Sequence, residues 1–478
     1  MVGKWRKATI EMLPEDTLVE VFDFYRLDAI RKSPGDPWKW HRLAHVCRKW
    51  RHVISVSPRR LDLRILCQGN GAPISSTLVS WPTLPLVVRH TSWGSKHMPR
   101  QVLVALRRPD RLCEIDLVVT SSITKLMVET IQKPCKTLER IWISVQDTTR
   151  TPLLVHGTFL GGSVPHLREI KLDGIAFPFP AIRQTLLSTS NLVELHLPTI
   201  PNDFYFTPDD LITGLSTLVL LKRLTVGFLS PASSPPPSMT HPPPRRATLP
   251  SLAELRFHGT SEYLEEFVAR IDSPALCNIW VKLFNQIFFE IPQFGQFIRR
   301  PNALGSPDRV LINHGPKFVS VDMLYNSGQR NLPGSIQLSF QTSCRRLDWQ
   351  LSFLTQILSE LSHLLSSIHS FYIYSNELPA LEDMDSTQWL ELFRLFTQVK
   401  EVEISRWILL SSIMPVLGAE DISTEIFPEL TSLRLSTFPI DRHMFKPVEI
   451  AAKQFVARRM SSSGRTVKLN INTPMFGF

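Results

Sequence analysis

No apolar run in this sequence approaches the roughly 18 residues that a membrane-spanning helix requires. The opening MVGKWRKATIEM is charged where a secretory signal would carry its apolar core. The chain is therefore expected in the cytoplasm, the nucleus or both, with no membrane partner. Cysteine is scarce: Cys47, Cys67, Cys113, Cys135, Cys277 and Cys344 are scattered, and none forms a C-x-x-C pair. A disulfide framework is excluded, and six buried thiols are expected. Catalytic signatures are missing as well. There is no G-x-S-x-G elbow, GNGA at 69–72 lacks a third glycine and a following Lys-Ser/Thr, and His41 and His45 stand one helical turn apart without a Glu after His41. No enzyme, metal or cofactor is expected. Charge of one sign is also missing from most of the chain. Residues 1–60 hold 13 Lys and Arg against 7 Asp and Glu, which is +6 of the net +10, and the other 418 residues are nearly neutral. Nucleic-acid binding needs clustered cations and is not expected.

What the sequence does have is a repeat. The pattern L-x-x-L-x-L returns with first positions at Leu112, Leu138, Leu167, Leu192, Leu221, Leu252 and Leu276, then at Ile368, Val399 and Leu430. The spacings are 26, 29, 25, 29, 31 and 24, then a gap of 92, then 31 and 31. A weak copy at Phe318-Val321-Met323 and the alternation Ile336-Leu338-Phe340 suggest degraded repeats inside the gap. Helix signals lie between the strands. In TPDDLITGL, Thr207 caps with Asp210 three residues on, and SEYLEEFVARI places Leu264, Phe267, Val268 and Ile271 on one stripe. Strand and helix alternating at this period describe leucine-rich repeats, which bury their strand face only by stacking on neighbours. Three residues past each last apolar position stand Thr120, Gln146, Ile175, Ile200, Leu229, Thr260, Phe284, Asn376, Trp407 and Phe438. One Asn in ten is no asparagine ladder, so turns held by apolar packing are expected. Residues 230–250, with eight prolines, cannot pack a core and are expected to form a disordered loop.

Ahead of the array, Leu18, Val21, Phe22 and Tyr25 fall on one helical stripe, with Pro14 suited to the first helical position. Trp40, Leu43, Cys47, Trp50 and Ile54 recur at steps of three and four, which predicts a second amphipathic helix. Next, SPRRLDLRIL puts Leu61, Leu63 and Ile65 on one face of a strand. The residues Leu13-Pro14, Val21-Phe22, Val46-Cys47 and Trp50 together resemble an F-box, and the run WHRLAHVCRKWRHVISVSPRRLDLR is similar to fungal F-box proteins with irregular leucine-rich repeats. From Leu13 to Trp50 is 37 residues, several more than that pattern usually has.

The expected architecture is α/β: a tail (1–10), a small all-helical F-box-like module (11–57), and an irregular leucine-rich-repeat solenoid with a curved parallel sheet (58–478). The resemblance implies docking of an acidic Skp-family adaptor, and through it a cullin-RING ligase, by Leu13, Pro14, Leu18, Val21, Phe22, Leu43, Val46, Cys47 and Trp50. An unknown target protein would be held by the repeats. Alternation along each strand sends the residue between the last two apolar positions to the opposite face. On that column Trp142, Lys171, His196, Arg256, Trp280 and Tyr372 are the target-binding candidates. The alternative is a scaffold without a ligase, in which the two N-terminal helices only cap the array.

Overall fold

The computed structural model describes residues 12–32, 39–57, 61, 63–68, 74–91, 99–120, 127–129, 131–146, 152–231, 246–284, 290–300, 304–325, 336–344, 346–375, 386–405, 407–418, 426–436, 442–464 and 466–472. The chain divides into two compact units, Met1–Leu192 and Val193–Phe478. Residues 1–11, 69–73, most of the linker between the first helices (33–38) and most of the proline-rich segment (232–245) lie outside the described residues.

The first unit opens with a helix over Glu15–Lys32, a 3-10 turn over Lys39–His45 and a helix over Arg48–Val56. The sequence pattern predicted one helix through Trp40 to Ile54, and the chain breaks it at Cys47. That residue is extended (φ −156°, ψ 172°), and its sulfur accepts the Trp50 N–H as an N-cap. Pro14 sits just before the first helix and its carbonyl accepts the Leu18 N–H at 3.1 Å.

Strands β1 (Ile65–Cys67), β2 (Leu86–Thr91), β3 (Leu112–Val119) and β4 (Arg140–Val145) follow, then β5 (Leu153–Leu154), β6 (Glu169–Asp173) and β7 (Ile175–Ala176). The main sheet of this unit runs β1-β2-β3-β4-β6, all parallel, and β5 pairs separately with β7. Leu61, Leu63 and Ile65 are all buried, but only Ile65 belongs to a strand. Gly174 takes φ +66° between β6 and β7, and a Cβ there would collide with the Val145 carbonyl oxygen, so only glycine fits the turn.

The second unit contains β8 (Glu194–Ile200), β9 (Arg223–Phe228), β10 (Ala247–Thr248), β11 (Glu254–Gly259), β12 (Ile271–Asp272) and β13 (Asn278–Leu283). It continues with β14 (Arg309–His314), β15 (Val319–Leu324), β16 (Ile336–Thr342), β17 (Ser370–Ser375), β18 (Glu401–Ser405), β19 (Ser432–Ser436) and β20 (Lys468–Asn472). Its sheet order is β8-β9-β11-β13-β16-β15-β14-β17-β18-β19-β20. Within the 92-residue gap, degraded parallel repeats give way to a three-stranded meander. Strand β14 pairs parallel with β17, β15 returns antiparallel to it, and β16 pairs antiparallel with β15 and parallel with β13. The reversal is set by the turn at Gly315-Pro316, where the Gly315 N–H bonds the Phe318 carbonyl at 2.8 Å. Phe318-Val321-Met323 therefore marks a return strand.

All thirty apolar positions of the ten L-x-x-L-x-L copies are at most 3% exposed. Backbone groups link each repeat to the one before. Glu139 N–H reaches the Cys113 carbonyl, Lys222 reaches Val193, Lys400 reaches His369 and Thr431 reaches Lys400, each at 2.8 Å. The turns without asparagine are closed similarly: Gln146 N–H bonds the Val119 carbonyl (2.8 Å), Leu229 bonds Ile200 (3.0 Å) and Phe284 bonds Gly259 (2.9 Å). Ile175 and Ile200 are buried as apolar packing requires, but Leu229 is exposed, so backbone bonding carries that turn. Asn376 and Phe438 lie outside the described residues.

Thr207 and Asp210 form the expected capping box on helix Pro208–Leu215. Helix Ser261–Ala269 is capped by Thr260 and buries Leu264, Phe267 and Val268, while Ile271 has passed into β12. The far end of the stretch expected as a disordered loop (230–250) is instead ordered, because β10 pairs with β12 and Leu249 is buried. Cys67, Cys113, Cys135 and Cys344 are buried, whereas Cys47 and Cys277 are half-buried. Burial pushes the Cys67 and Cys113 thiols up to about 12 and Cys135 up to about 11, which keeps them protonated and inert.

One buried polar group makes the fold sensitive to acid. Gln350 donates its amide to the carbonyls of Gly315 and Cys344, both at 2.9 Å, leaving its oxygen to accept from His314 Nδ1 at 2.9 Å. Burial lowers the His314 pKa from 6.5 to about 4, against the smaller opposing pull of that hydrogen bond. The unfolded chain therefore takes up a proton near pH 6.5 that the folded chain refuses until about pH 4. His314's contribution is complete above pH 6.5 and is lost as pH falls toward 4, by roughly 2–3 kcal/mol at pH 4.5. Urea unfolding of wild type and His314→Phe at pH 7 and 4.5 reads this directly: the gap between them narrows by that amount in acid. An unchanged gap would mean that His314 titrates alike in the folded and unfolded chains.

Candidate functional site

Two surfaces collect side chains that the core does not consume. The first lies on the N-terminal helices. Leu18, Val19, Phe22, Leu43 and Trp50 are buried, with the Phe22 and Trp50 rings edge to face at 4.8 Å. Lys49 Nζ donates to the Leu13 carbonyl at 2.8 Å and Arg51 Nε to the Ala44 carbonyl at 2.9 Å, tying the segments together. Four of the nine adaptor candidates (Leu18, Phe22, Leu43 and Trp50) thus form the module's own interior. The others are reachable: Val21 is 42% and Val46 56% exposed, Pro14 is exposed, and Leu13 and Cys47 are half-buried.

The first helix turns differently from its predicted stripe, burying Val19 and exposing Val21 and Tyr25. Its outer face carries residues the pattern missed. Phe24 is 73% exposed, and Val21, Phe24 and Leu27 follow one another at three-residue steps, with Met12 exposed before the helix. Arg42 and Arg48, near Val46 in the chain, are also exposed. Phe24 is one residue off the predicted stripe, which concealed it.

The second surface is the strand face opposite the buried leucines. In the first unit the register sets Asp116, Trp142 and Lys171 side by side on β3, β4 and β6. In the second unit it sets His196, Thr225, Arg256, Trp280 and Ser339 in one row, and Leu311, Tyr372, Glu403 and Arg434 in another across β14, β17, β18 and β19. None is buried. Trp142 is 47% exposed and Arg256 is exposed, while Lys171, His196, Trp280 and Tyr372 are half-buried. Alternation thus places all six target candidates on the open face, three of them in the row from His196 to Ser339.

The rings are held by cations from neighbouring strands. Lys171 Nζ lies 5.4 Å from the Trp142 ring centre, the Arg256 guanidinium 4.5 Å from Trp280, and Arg309 5.5 Å from Tyr372. Such contacts contribute about 0.5–1 kcal/mol at exposed sites and limit ring rotation. Beside this column runs a charge ladder that sequence reading missed. It reads Glu114, Arg140, Glu169 in the first unit and Glu194, Arg223, Glu254 in the second. Arg140 lies 3.5 Å from both Glu114 and Glu169, and Arg223 lies 2.5 Å from Glu194. Arg64 joins Glu114 (2.6 Å) to Glu139 (3.0 Å). The signal was present one position before each central apolar residue.

Two acids on this face are shifted. Burial raises Asp116, with Arg89 and Lys171 pulling the other way, and burial raises Asp322 against a 2.5 Å hydrogen bond from Ser339. Among the described residues no group of three or more His, Cys, Asp and Glu is placed to hold a metal ion, and no helix is long and apolar enough to cross a membrane. The arrangement offers fixed aromatic rings, cations and carboxylates in register, which suits noncovalent recognition.

No family model matches the chain, and no curated protein matches it in sequence. Among solved structures the chain is similar to the TLR13–ssRNA13 complex, at 12% identity and a TM-score of 0.28, over 86% of this chain and 46% of that one. It thus spans less than half the length of that neighbour. It is also similar to the leucine-rich repeat-containing protein LegL7 from Legionella pneumophila, at 11% identity and a TM-score of 0.27, over 82% of this chain and 97% of that one.

Proposed function

We propose that this protein is an F-box-type substrate receptor. In this reading the N-terminal helices dock a Skp-family adaptor of a cullin-RING ubiquitin ligase, and the open strand faces capture a target protein. The observation that carries it is the outer face of the first helix, where Val21, Phe24 and Leu27 are exposed although three large apolar side chains in one stripe normally face a core or a partner. The basic balance of residues 1–60 would favour an acidic partner there. The protein itself performs no chemistry. Ubiquitin transfer is accelerated by proximity, because tethering a target lysine beside the ligase raises its effective concentration.

The test is co-purification of the full chain with a purified Skp-family adaptor. A stoichiometric complex is expected, and a chain that elutes alone leaves the scaffold reading, in which the helices only cap the repeats. A second test addresses the capture face. Trp280→Ala is expected to weaken target binding by about 30-fold or more, as hot-spot aromatics do, while thermal unfolding moves little because the ring is stacked on Arg256 at the surface. A stability loss near 3–5 kcal/mol, the figure for emptying a buried aromatic site, would place Trp280 in the core.

A further inference from the structure

The last strand of the second unit is left open. Strand β20 stands at the end of the sheet order and, among the described residues, pairs with β19 alone. Its register sets Leu469 beside Leu433 and Ile471 beside Leu435, so both continue the column that the ten copies of the repeat bury. Leu433 and Leu435 are at most 1% exposed, whereas Leu469 and Ile471 are only half-buried. The opening edge of the first unit differs, because on β1 both Ile65 and Cys67 are buried. A repeat covers its strand residues through the next one in the stack, and a terminal repeat needs a cap. The core column is covered at β1 and half open at β20.

The backbone of β20 is open in the same place. The Lys468 N–H donates to the Thr431 carbonyl at 2.8 Å, toward β19. Peptide groups along a strand point alternately to its two sides. Those of Lys468, Asn470 and Asn472 therefore face β19, and those of Leu469 and Ile471 face outward, where no strand meets them among the described residues. Unpaired donors and acceptors beside half-covered apolar side chains are a template for another strand.

A second β20 fits this template. Set antiparallel about a two-fold axis at Asn470, Leu469 of one copy stands opposite Ile471 of the other, and the reverse pair forms by symmetry. Each pair exchanges two backbone hydrogen bonds, because the outward groups belong to these residues. Both side chains lie on the core face, so the apolar pairs cover each other, while Lys468 meets Asn472 on the open face. Lysine is the one charged residue of the strand, and this register never sets it against its own copy.

We propose that this protein forms a two-fold dimer through β20, which joins two copies of the second unit's sheet edge to edge with Asn470 at the axis. The proposal does not rest on the ligase reading, since it uses neither the outer face of the first helix nor the row that contains Trp280.

The test is light scattering on the full chain, followed by site-directed cross-linking. The average mass is expected to rise from one chain toward two between about 0.1 and 50 µM, the range suited to a small interface. Ile471→Lys puts a charge into the edge and is expected to shift this rise to concentrations at least about tenfold higher. Asn470→Cys keeps Ile471 in place and reads the register. Residues facing each other across the axis in a non-hydrogen-bonded pair have Cα atoms about 4.5 Å apart, within disulfide reach. Oxidation with copper phenanthroline is therefore expected to give a covalent dimer that wild type, with its six native cysteines, does not give. Lys468→Cys is expected to give none, because four residues of offset separate the two copies by about 13 Å. The proposal is overturned if wild type keeps the mass of one chain at about 50 µM, if Asn470→Cys forms no covalent dimer, or if Lys468→Cys cross-links equally well.

Discussion

Phe371→Ala lowers the unfolding free energy of the second unit by about 3–5 kcal/mol, whereas Tyr372→Ala, one residue away, changes it by about 1 kcal/mol or less. Phe371 is fully buried where three repeats meet, its ring 4.9 Å from Phe396, 5.5 Å from Phe427 and 5.9 Å from Phe393. Truncation removes the transfer energy of the ring, opens a cavity that rigid neighbours cannot fill, and breaks three aromatic contacts worth about 0.5–1.5 kcal/mol each. Tyr372 points the other way, half-buried under Arg309. Denaturant unfolding of the two variants measures the contrast. Equal losses would mean that β17 is not divided into a core face and an open face.

On the proposed reading, Val21→Glu combined with Phe24→Glu is expected to weaken adaptor binding by more than about 100-fold and to leave the circular dichroism and unfolding temperature as in wild type. Both residues are exposed, and surface changes of this kind usually shift stability by no more than about 0.5 kcal/mol. An apolar anchor at the centre of an interface contributes about 2 kcal/mol or more, and a buried unpaired carboxylate adds a further penalty. Leu18→Ala or Phe22→Ala would not separate binding from folding, because those side chains form the module's interior. Leu13→Ala with Pro14→Ala, two of the nine adaptor candidates, is a milder test. Leu13 is half-buried, and the bond from Lys49 goes to its carbonyl, which survives the substitution.

Where one period governs many residues, the sequence was read correctly. The positions from Leu112 to Leu435 in the ten L-x-x-L-x-L copies are all buried, and Trp142, Arg256, Trp280 and Tyr372 are all on the open face, because alternation in a strand admits two outcomes and the recurring apolar positions select one. Reading failed where a single residue redirects the chain. Cys47 starts a separate helix, its sulfur accepting the Trp50 N–H as an N-cap, and no periodicity reports that. Gly315-Pro316 reverses the chain between β14 and β15, so a strand that fits the repeat in composition runs antiparallel to it. Of the cation partners of the aromatic rings, Lys171 and Arg256 stood in the predicted column, and Arg309 was hidden for another reason. Arg309 meets Tyr372 because the meander places β14, rather than β16, beside β17.

The proposed division of labour between docking helices and capture face is tested most directly by one measurement. Full-length wild type and the Val21→Glu/Phe24→Glu variant are each bound, by calorimetry, to a purified Skp-family adaptor. Wild type is expected to bind one adaptor per chain at micromolar affinity or better, and the variant, equally folded, to show no binding. A folded wild-type chain with no affinity for the adaptor, or a variant that binds as well as wild type, would contradict the assignment.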